Sequence, residues 1–482
     1  MREDSLEHRA GTFPSLSQWW DFSRAGIAMD RNQTASHRQI LDANVSALRF
    51  FGFWAPGPGS PRLWKLLYPF YNKIMLALMC SFAATIVADL CTNYGDLMIL
   101  TDDGCFIAGV SVVIFKLFNF QARRERIDRL MSAIHEPVEI LRRSSDEAVV
   151  RLVKSFVLHE KTTVYFLSSL GGFLVLALLL FVPTENGSLP IRAKYPFDSR
   201  VKPMHEIAFF IQASAVTTTI VAIMAMDTIV IGFCRFTHLQ LQVLTSNYLK
   251  CRNSSSERGS LELRKGHSAT SFFRPQEDFV IRTFVPFHLG EINETEDSFT
   301  KRFKTCVKHH QRLFEIVDDI NELFGSSMLV QLCASSSMIC LTGFQAVLGA
   351  KESANFMKFA LYLGAAFSQL LCWCWFGNKL IYQVIDHLTP DHPIPRTNNF
   401  VSIIFNTVKS DSLALSQWFS GWEDETNYSS LAALIVVSLI RTRRPMSLTA
   451  GSFYTMSMET FIAILKSSYS FFALLTTVNE ET

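Results

Sequence analysis

The chain has 482 residues, of which 49% are hydrophobic and 18% are charged, and 41 of them are Phe. Its mean hydropathy of +0.20 is high for a water-soluble protein of this length, and the apolar residues are concentrated in blocks. The formal net charge of +2 excludes no class of partner, but the sequence contains no GxGxxG, P-loop, HExxH or GxSxG motif and no regular Cys/His spacing. We therefore expect a membrane protein without catalytic residues, a bound metal or a cofactor.

The apolar blocks predict the fold class. Roughly the first 40 residues are polar and lack an apolar stretch long enough for a cleavable signal peptide. The sequence then predicts an all-α membrane protein with seven transmembrane helices, at 68–91, 97–120, 164–183, 204–235, 323–348, 357–380 and 453–475.

Basic residues alternate between the segments that separate these blocks. Lys plus Arg are numerous in one set of segments, with 8 in 1–67, 9 in 121–163, 12 in 236–322 and 5 in 381–452. They are fewer in the other set, with 0 in 92–96, 4 in 184–203, 1 in 349–356 and 0 after residue 475. Because basic loops stay in the cytoplasm, we expect a cytoplasmic N-terminus and an extracellular C-terminus. We therefore reject a G-protein-coupled receptor, whose Asp-Arg-Tyr and Asn-Pro-x-x-Tyr motifs are also missing.

Several helices are expected to continue beyond the membrane on the cytoplasmic side. The stretch RFKTCVKHHQRLFEIVDDINELF, residues 302–324, has apolar residues at helical spacing and leads straight into the fifth block. The fourth block continues as CRFTHLQLQVLTSNYL, and the apolar segment 429–445 is short for a span and ends in several Arg. We expect these segments to pack as a cytoplasmic helical bundle.

Some polar residues near the blocks have two interpretations. Asp227 lies in the fourth block and is either an ion or ligand contact or, as we favour, a residue at the cytoplasmic boundary. Asp102 and Asp103 begin the second block and are expected to be solvated or to cap the helix. His309 and His310 are adjacent and so face different directions, which favours a solvated helix surface over a metal site.

Aromatic residues of four blocks are candidates for a ligand pocket. Such residues face lipid or the protein core more often than a ligand, but a cavity for apolar molecules needs side chains of this type. The candidates are Phe106, Phe173, Phe181, Phe209, Phe210 and Tyr362. The outer loop 184–203 also contains the glycosylation motif that begins at Asn186.

The last block has a polar stripe that includes ionisable residues. At 100° per residue, one narrow face carries Ser452, Thr455, Glu459, Ala463, Lys466 and Ser470. Such a stripe faces water or other protein and not lipid. Glu459 and Lys466 are about 10 Å apart along one helix, too far for a direct pair. They are therefore predicted either to line a water-filled path or to hold helices together through other partners.

Four motifs resemble one family in the same chain order. LTAGSFYTMSMETFIAILKSSYSFFALL at 448–475 resembles the C-terminal signature of insect odorant receptors. Three further stretches resemble motifs of the same family: KRFKTCVKHHQRLFEIVDDINELF at 301–324, WFGNKLIYQ at 375–383 and SDSLALSQWFSGWEDE at 410–425. The last helix differs from that of the family's co-receptor, so the resemblance is to an odorant-specific subunit.

The resemblance implies a ligand-gated, non-selective cation channel in the plasma membrane of olfactory sensory neurons. The implied assembly is a hetero-tetramer with a co-receptor subunit in membrane lipid, with an apolar odorant bound in the outer half of each subunit. No nucleic-acid partner is implied. The last helix would line the pore, with Leu474 and Val478 as an apolar gate near the outer mouth. The expected pore-lining residues are thus Thr455, Glu459, Lys466, Ser470, Leu474 and Val478.

One segment departs from the family pattern. Residues 384–409, VIDHLTPDHPIPRTNNFVSIIFNTVK, separate two motifs that are contiguous in the family, and we interpret them as a retained intron or a gene-model error. Met29 is similarly interpreted as the authentic start. The expected organisation is a cytoplasmic region 1–67, six spans with the pocket in 68–380, a cytoplasmic segment 381–452, and the pore helix with a short extracellular tail in 453–482.

Two other functions stay open. The gustatory receptors, which are related chemoreceptor channels, resemble this chain less because their last-helix motif ends in Gln-Phe where this chain reads ALLTT. A secondary transporter would use Glu459 and Lys466 in its substrate path. Transporters often have internal repeats with spans broken by Gly or Pro, and no such repeat is recognisable here.

Overall fold

The computed structural model describes residues 38–57, 59–95, 97–181, 189–252, 281, 283–288, 291, 298–348, 353–381, 411–424, 428–442 and 444–481. Their main elements are helices: α1 Arg38–Phe50, α2 Arg62–Thr92, α3 Leu97–Ala122, α4 Arg124–Arg142, α5 Glu147–Leu176, α6 Met204–Leu249, α7 Phe299–Leu348, α8 Ser353–Ile381, α9 Asp411–Trp418, α10 Tyr428–Thr442 and α11 Met458–Glu481. A π-helical turn, Ala177–Phe181, extends α5, and a 3₁₀ turn spans Trp422–Asp424. The strands β1 Thr449–Ala450 and β2 Tyr454–Thr455 pair antiparallel.

Seven of the described helices are long and apolar enough to cross a membrane, namely α2, α3, α5, α6, α7, α8 and α11. This confirms the predicted all-α membrane fold. Three helix starts differ from the predicted blocks, and the first is that of α2, which begins at Arg62, six residues early. The third span is the second half of α5, which already begins at Glu147. The seventh begins at Met458, because residues just before it form the β1–β2 hairpin.

The two longest helices extend well beyond a bilayer. α6 has 46 residues and α7 has 50, so they are about 69 and 75 Å long, more than twice a hydrocarbon core of about 30 Å. α7 runs without a break from Phe299, which confirms the predicted continuation of 302–324 into the fifth span. We call the end of the molecule that the basic residues predict to be cytoplasmic the inner end, and the opposite end the outer end.

A helical bundle forms the inner end. The second half of α6 is buried on almost all sides, because α4, α7, α8 and α9 all pack against α6 and α10 covers α9. The expectation that His309 and His310 are solvated is wrong, since each is only 2% exposed. The ring of His309 stacks on Phe287, with 3.5 Å between ring centroids, because the segment before α7 folds back over the helix.

The β1–β2 hairpin fixes the start of α11. Gly451 has a φ of +60°, a left-handed conformation that glycine adopts without strain. Its N–H donates to the carbonyl oxygen of Gly325 on α7 at 2.7 Å. The side chain of Asn321 also holds the hairpin, because its Nδ2 donates to the Ser447 carbonyl and its Oδ1 accepts from the Thr449 N–H, both at 2.9 Å.

Candidate ligand pocket and pore helix

A cluster of apolar side chains lies at the outer end, separate from the larger core of the inner end. We call it the outer cluster, and its buried members come from six spans and the loop before α6: Phe82, Ile86, Val110, Leu178, Ile191, Ala215, Val216, Ala346, Phe359 and Tyr362. Phe106 packs against it, and its ring meets that of Tyr362 edge to face, 5.0 Å between centroids. Its apolar and aromatic composition is typical of sites for small apolar molecules.

An ion pair between α3 and α8 closes one side of the outer cluster. Lys358 Nζ lies 3.2 Å from the carboxylate of Asp102 and within 5.5 Å of the ring centroids of Phe106 and Phe359. Asp103, on the next position of α3, is fully buried. The expectation that both aspartates are solvated or capping is therefore wrong, because α8 and the loop before α6 cover this end of α3.

The loop before α6 is fastened to the outer cluster by polar contacts. Arg192 Nε donates to Asp89 Oδ2 at 2.6 Å, and this carboxylate is mostly buried. Gln212 Nε2 donates to the carbonyl of Ile191 at 2.7 Å, and its Oε1 accepts from the N–H of the same residue at 3.3 Å. These contacts hold Ile191 in the cluster and form its outer wall.

Only part of the predicted pocket set meets in this cluster. Phe106 and Tyr362 are in contact, whereas Phe173, Phe209 and Phe210 are 55, 37 and 71% exposed. The exposed residues occupy positions typical of lipid-facing or subunit-facing side chains, so their role in ligand binding stays a prediction. The side chain of Phe181 and the glycosylation motif at Asn186 lie outside the described residues.

A buried ion pair links the spans below the outer cluster. Lys116 Nζ on α3 lies 2.6 Å from Asp227 Oδ1 on α6, and their side chains are 3 and 8% exposed. Asp227 Oδ2 also accepts from Gln369 Nε2 at 2.7 Å and from Trp373 Nε1 at 3.2 Å, both on α8. Asp227 is thus held inside the helical core and not at a solvent boundary, which corrects the interpretation we favoured. The sequence feature that could have indicated this pair is Lys116. It is an isolated cation inside an apolar block, and such a cation requires a partner.

The predicted stripe of α11 is exposed on this chain. Glu459, Lys466 and Ser470 are exposed, and neither Glu459 nor Lys466 forms an ion pair with a described residue. Leu474 is 59% exposed, and the side chain of Val478 lies outside the described residues.

The opposite face of α11 packs against the helical core. Phe461 is 6% exposed, and Ser468 is 1% exposed with its hydroxyl 3.2 Å from that of Ser336 on α7. Thr455 is exposed but belongs to β2, so it precedes the helix that carries the rest of the stripe. Within one chain, the described contacts therefore give no support to a role of the charged stripe in holding helices together.

The architecture defines a multi-pass membrane protein with an apolar cluster near one surface and a last helix whose polar face is free. The family model described as 7tm Odorant receptor matches residues 97–386, and the chain belongs to this family. The protein is accordingly a multi-pass odorant receptor, as the sequence motifs indicate. The match ends within the first three residues of the segment 384–409, which lies outside the described residues.

Similar proteins agree with this assignment. Odorant receptor 47b of Drosophila melanogaster is 22% identical over 84% of this chain and 85% of its own length. Odorant receptor 13a of the same species is 23% identical over 89% and 94%. The structure of the insect olfactory receptor OR5 from Machilis hrabei in complex with eugenol is similar in fold, with a TM-score of 0.70 at 14% identity over 93% of this chain and 100% of that chain.

Proposed function

We propose that this chain is an odorant-specific subunit of a ligand-gated, non-selective cation channel. It assembles with a co-receptor subunit as a hetero-tetramer in the plasma membrane of olfactory sensory neurons, with the N-terminus in the cytoplasm. The exposed polar face of α11 is the observation that carries this proposal. Relatives in the odorant receptor family support the sensory role.

The α11 face is better explained by an aqueous path than by lipid. An ionisable side chain facing the middle of a bilayer costs about 2.5–3.5 kcal/mol or more. On one side, α11 exposes Lys466, eight residues after its start at Met458, and Glu459 in its first turn. The other side, with Phe461, already packs on the same chain. The polar side is therefore free to face a central path between subunits, in which Leu474 and Val478 form the apolar gate.

The outer cluster is the proposed odorant site. Phe106, Phe359 and Tyr362 contribute aromatic contact, and the charged groups beside the cluster are paired with one another, as Lys358 is with Asp102. A receptor of similar fold was solved in complex with eugenol, which supports a small aromatic compound as a ligand class for this chain.

Currents test the channel proposal directly. Cells that express this chain with a co-receptor should show odorant-evoked cation currents. These currents should begin at lower odorant concentrations, or be evoked by more odorants, than in cells with the co-receptor alone. Absence of any current across a broad odorant panel, with both subunits shown at the cell surface, would contradict the proposed function.

Charge removal on α11 tests the pore assignment. Glu459→Gln and Lys466→Gln should shift the reversal potential under asymmetric cation gradients, because charges near a narrow path act strongly on passing ions. The shift should be small, since subunits of the co-receptor also line the path. Glu206→Gln and Lys202→Gln are matched controls, because these residues form a solvent-exposed pair at 3.8 Å at the start of α6. Lost surface protein with an unchanged reversal potential would instead assign the stripe to packing between subunits.

A further inference from the structure

The hydroxyl of Tyr362 is a buried polar group inside the outer cluster. Tyr362 is 6% exposed, and its hydroxyl has no hydrogen-bond partner among the residues that the structure describes. Its ring lies between the rings of Phe106 and Phe359, at centroid distances of 5.0 and 6.2 Å with near-perpendicular planes. A buried tyrosine hydroxyl usually finds a partner, because an unpaired donor in an apolar environment is unfavourable.

Neighbouring polar groups of the outer end are paired within the chain. Asp102 pairs with Lys358, and the Gln345 side chain on α7 donates to the hydroxyl of Thr101 at 2.5 Å. The buried carboxyl of Asp103 lies beside the Asp89 carboxyl, with Arg192 nearby, and so has charged neighbours within the chain. The Tyr362 ring packs against aromatic and aliphatic side chains. The charge that acts on its hydroxyl, the Asp102 carboxylate, is already paired with Lys358 and forms no hydrogen bond with this hydroxyl.

We propose that the Tyr362 hydroxyl donates a hydrogen bond to an oxygen of the ligand, so that the receptor selects neutral apolar molecules with a carbonyl oxygen over hydrocarbons of the same shape. A phenol is a stronger donor than acceptor, because its oxygen lone pair is delocalised into the ring. The apolar walls favour a hydrocarbon body, and the charge of Lys358 is already balanced by Asp102. This inference rests on the proposed function, since it assumes that the outer cluster is the odorant site.

Removal of one oxygen atom from the receptor and from the ligand tests the proposal. Concentration–response curves are measured for the wild type and Tyr362→Phe, each with a co-receptor. The ligands are carbonyl compounds and isosteres in which a methylidene group replaces the oxygen, such as acetophenone with α-methylstyrene and cyclohexanone with methylidenecyclohexane. The wild type should prefer the carbonyl member, and Tyr362→Phe should reduce this preference about 3- to 10-fold, the value of one neutral hydrogen bond.

Tyr68→Phe is the matched control. The Tyr68 hydroxyl donates to the carbonyl of Arg49 at 2.8 Å, near the inner start of α2. Its removal affects folding and surface level without changing the preference between isosteres. Surface biotinylation of both variants separates a loss of protein from a change in selectivity.

Three outcomes would overturn the inference. The first is a wild type that responds equally to both members of each pair, and the second is a preference that Tyr362→Phe leaves unchanged. The third is a channel that opens to another chemical class but to no carbonyl compound, which rejects the ligand class and retains the proposed function. Silence to every odorant at normal surface level rejects the proposed function itself, and the inference with it.

Discussion

Removal of one charge from the buried pair of Lys116 and Asp227 should strongly destabilise the receptor. Asp227→Asn leaves the Lys116 ammonium, whose side chain is 3% exposed, without a counter-ion in the helical core. Removing one partner of a buried ion pair typically costs about 3–5 kcal/mol. The amide oxygen of Asn can still accept from Gln369 or Trp373, so the predicted loss is that of the charge pair and not of every contact at this position.

The double variant Lys116→Met with Asp227→Asn should recover most of this loss. It removes both charges, and replacing a whole buried pair by neutral groups is often nearly neutral. The expected coupling energy in a double-mutant cycle is about 2–3 kcal/mol. The assay is thermal inactivation of the detergent-solubilised protein, followed by size-exclusion chromatography, together with the fraction of protein at the cell surface.

Asp128→Asn is the control for this cycle. Asp128 pairs with Arg124 at 4.0 Å on the surface of α4, where the side chains are 52 and 41% exposed, so the same substitution should change stability by about 0.5 kcal/mol or less. If Asp227→Asn is no more harmful than the control, the buried pair does not stabilise the fold. If the double variant is as unstable as the sum of the single ones, Lys116 and Asp227 act independently and the inferred coupling is wrong.

Three further predictions address packing, topology and the departing segment. A Cβ at Gly377 would overlap the Met456 carbonyl and lie 2.8 Å from the Met456 Cβ, so Gly377→Ala should lower thermal stability by about 1–3 kcal/mol. Gly364 lies on the same helix, and a Cβ added there would have no atom within 4 Å, so Gly364→Ala should leave thermal stability nearly unchanged. Equal losses of stability for both variants would refute the close contact at Gly377. An epitope after Thr482 should be labelled by antibody on intact cells; staining only after permeabilisation would reverse the predicted orientation. Deletion of 384–409 should raise surface assembly with the co-receptor, measured by co-immunoprecipitation of biotinylated protein, and a reduced level would make the segment a native element.

Hydropathy was sufficient to predict the seven spans, because each helix that crosses a bilayer needs about 20 consecutive, mostly apolar residues. The orientation inferred from the basic residues stays a prediction. The continuity of α7 was predicted for a related reason, since apolar residues at helical spacing lead without a break from Phe303 to Phe324. The hairpin before α11 was not predicted. Its strands have only two residues each, and the hydrogen bond from Gly451 to Gly325 joins positions far apart in the sequence.

Pairings between distant polar residues were the main features that the sequence did not reveal. Asp227 and Lys116 are 111 positions apart, and the sequence around each residue does not identify the other as its partner. His309 is polar by type, but Phe287, from a segment without helical periodicity, covers its ring. The pocket candidates show the same limit. Phe106 and Phe210 look alike in sequence, but Phe106 is half-buried against Tyr362 of α8 whereas Phe210 is exposed.

The attachment of the β1–β2 hairpin to α7 also determines how far a tilt of α11 would move the outer end of this helix. The helix is anchored at its inner root, where Gly451 is bonded to α7, while its exposed part is free of such anchors on one side. Leu474 lies about 24 Å beyond Met458 at 1.5 Å per residue. A tilt of about 5° at the root would therefore displace Leu474 sideways by about 2 Å, which is comparable to the radius of a methyl group. In mechanical terms α11 is a lever with its fulcrum at the inner end. A small tilt of α11, together with the part of α7 that packs on it at Ser468, would therefore be multiplied where the proposed gate lies.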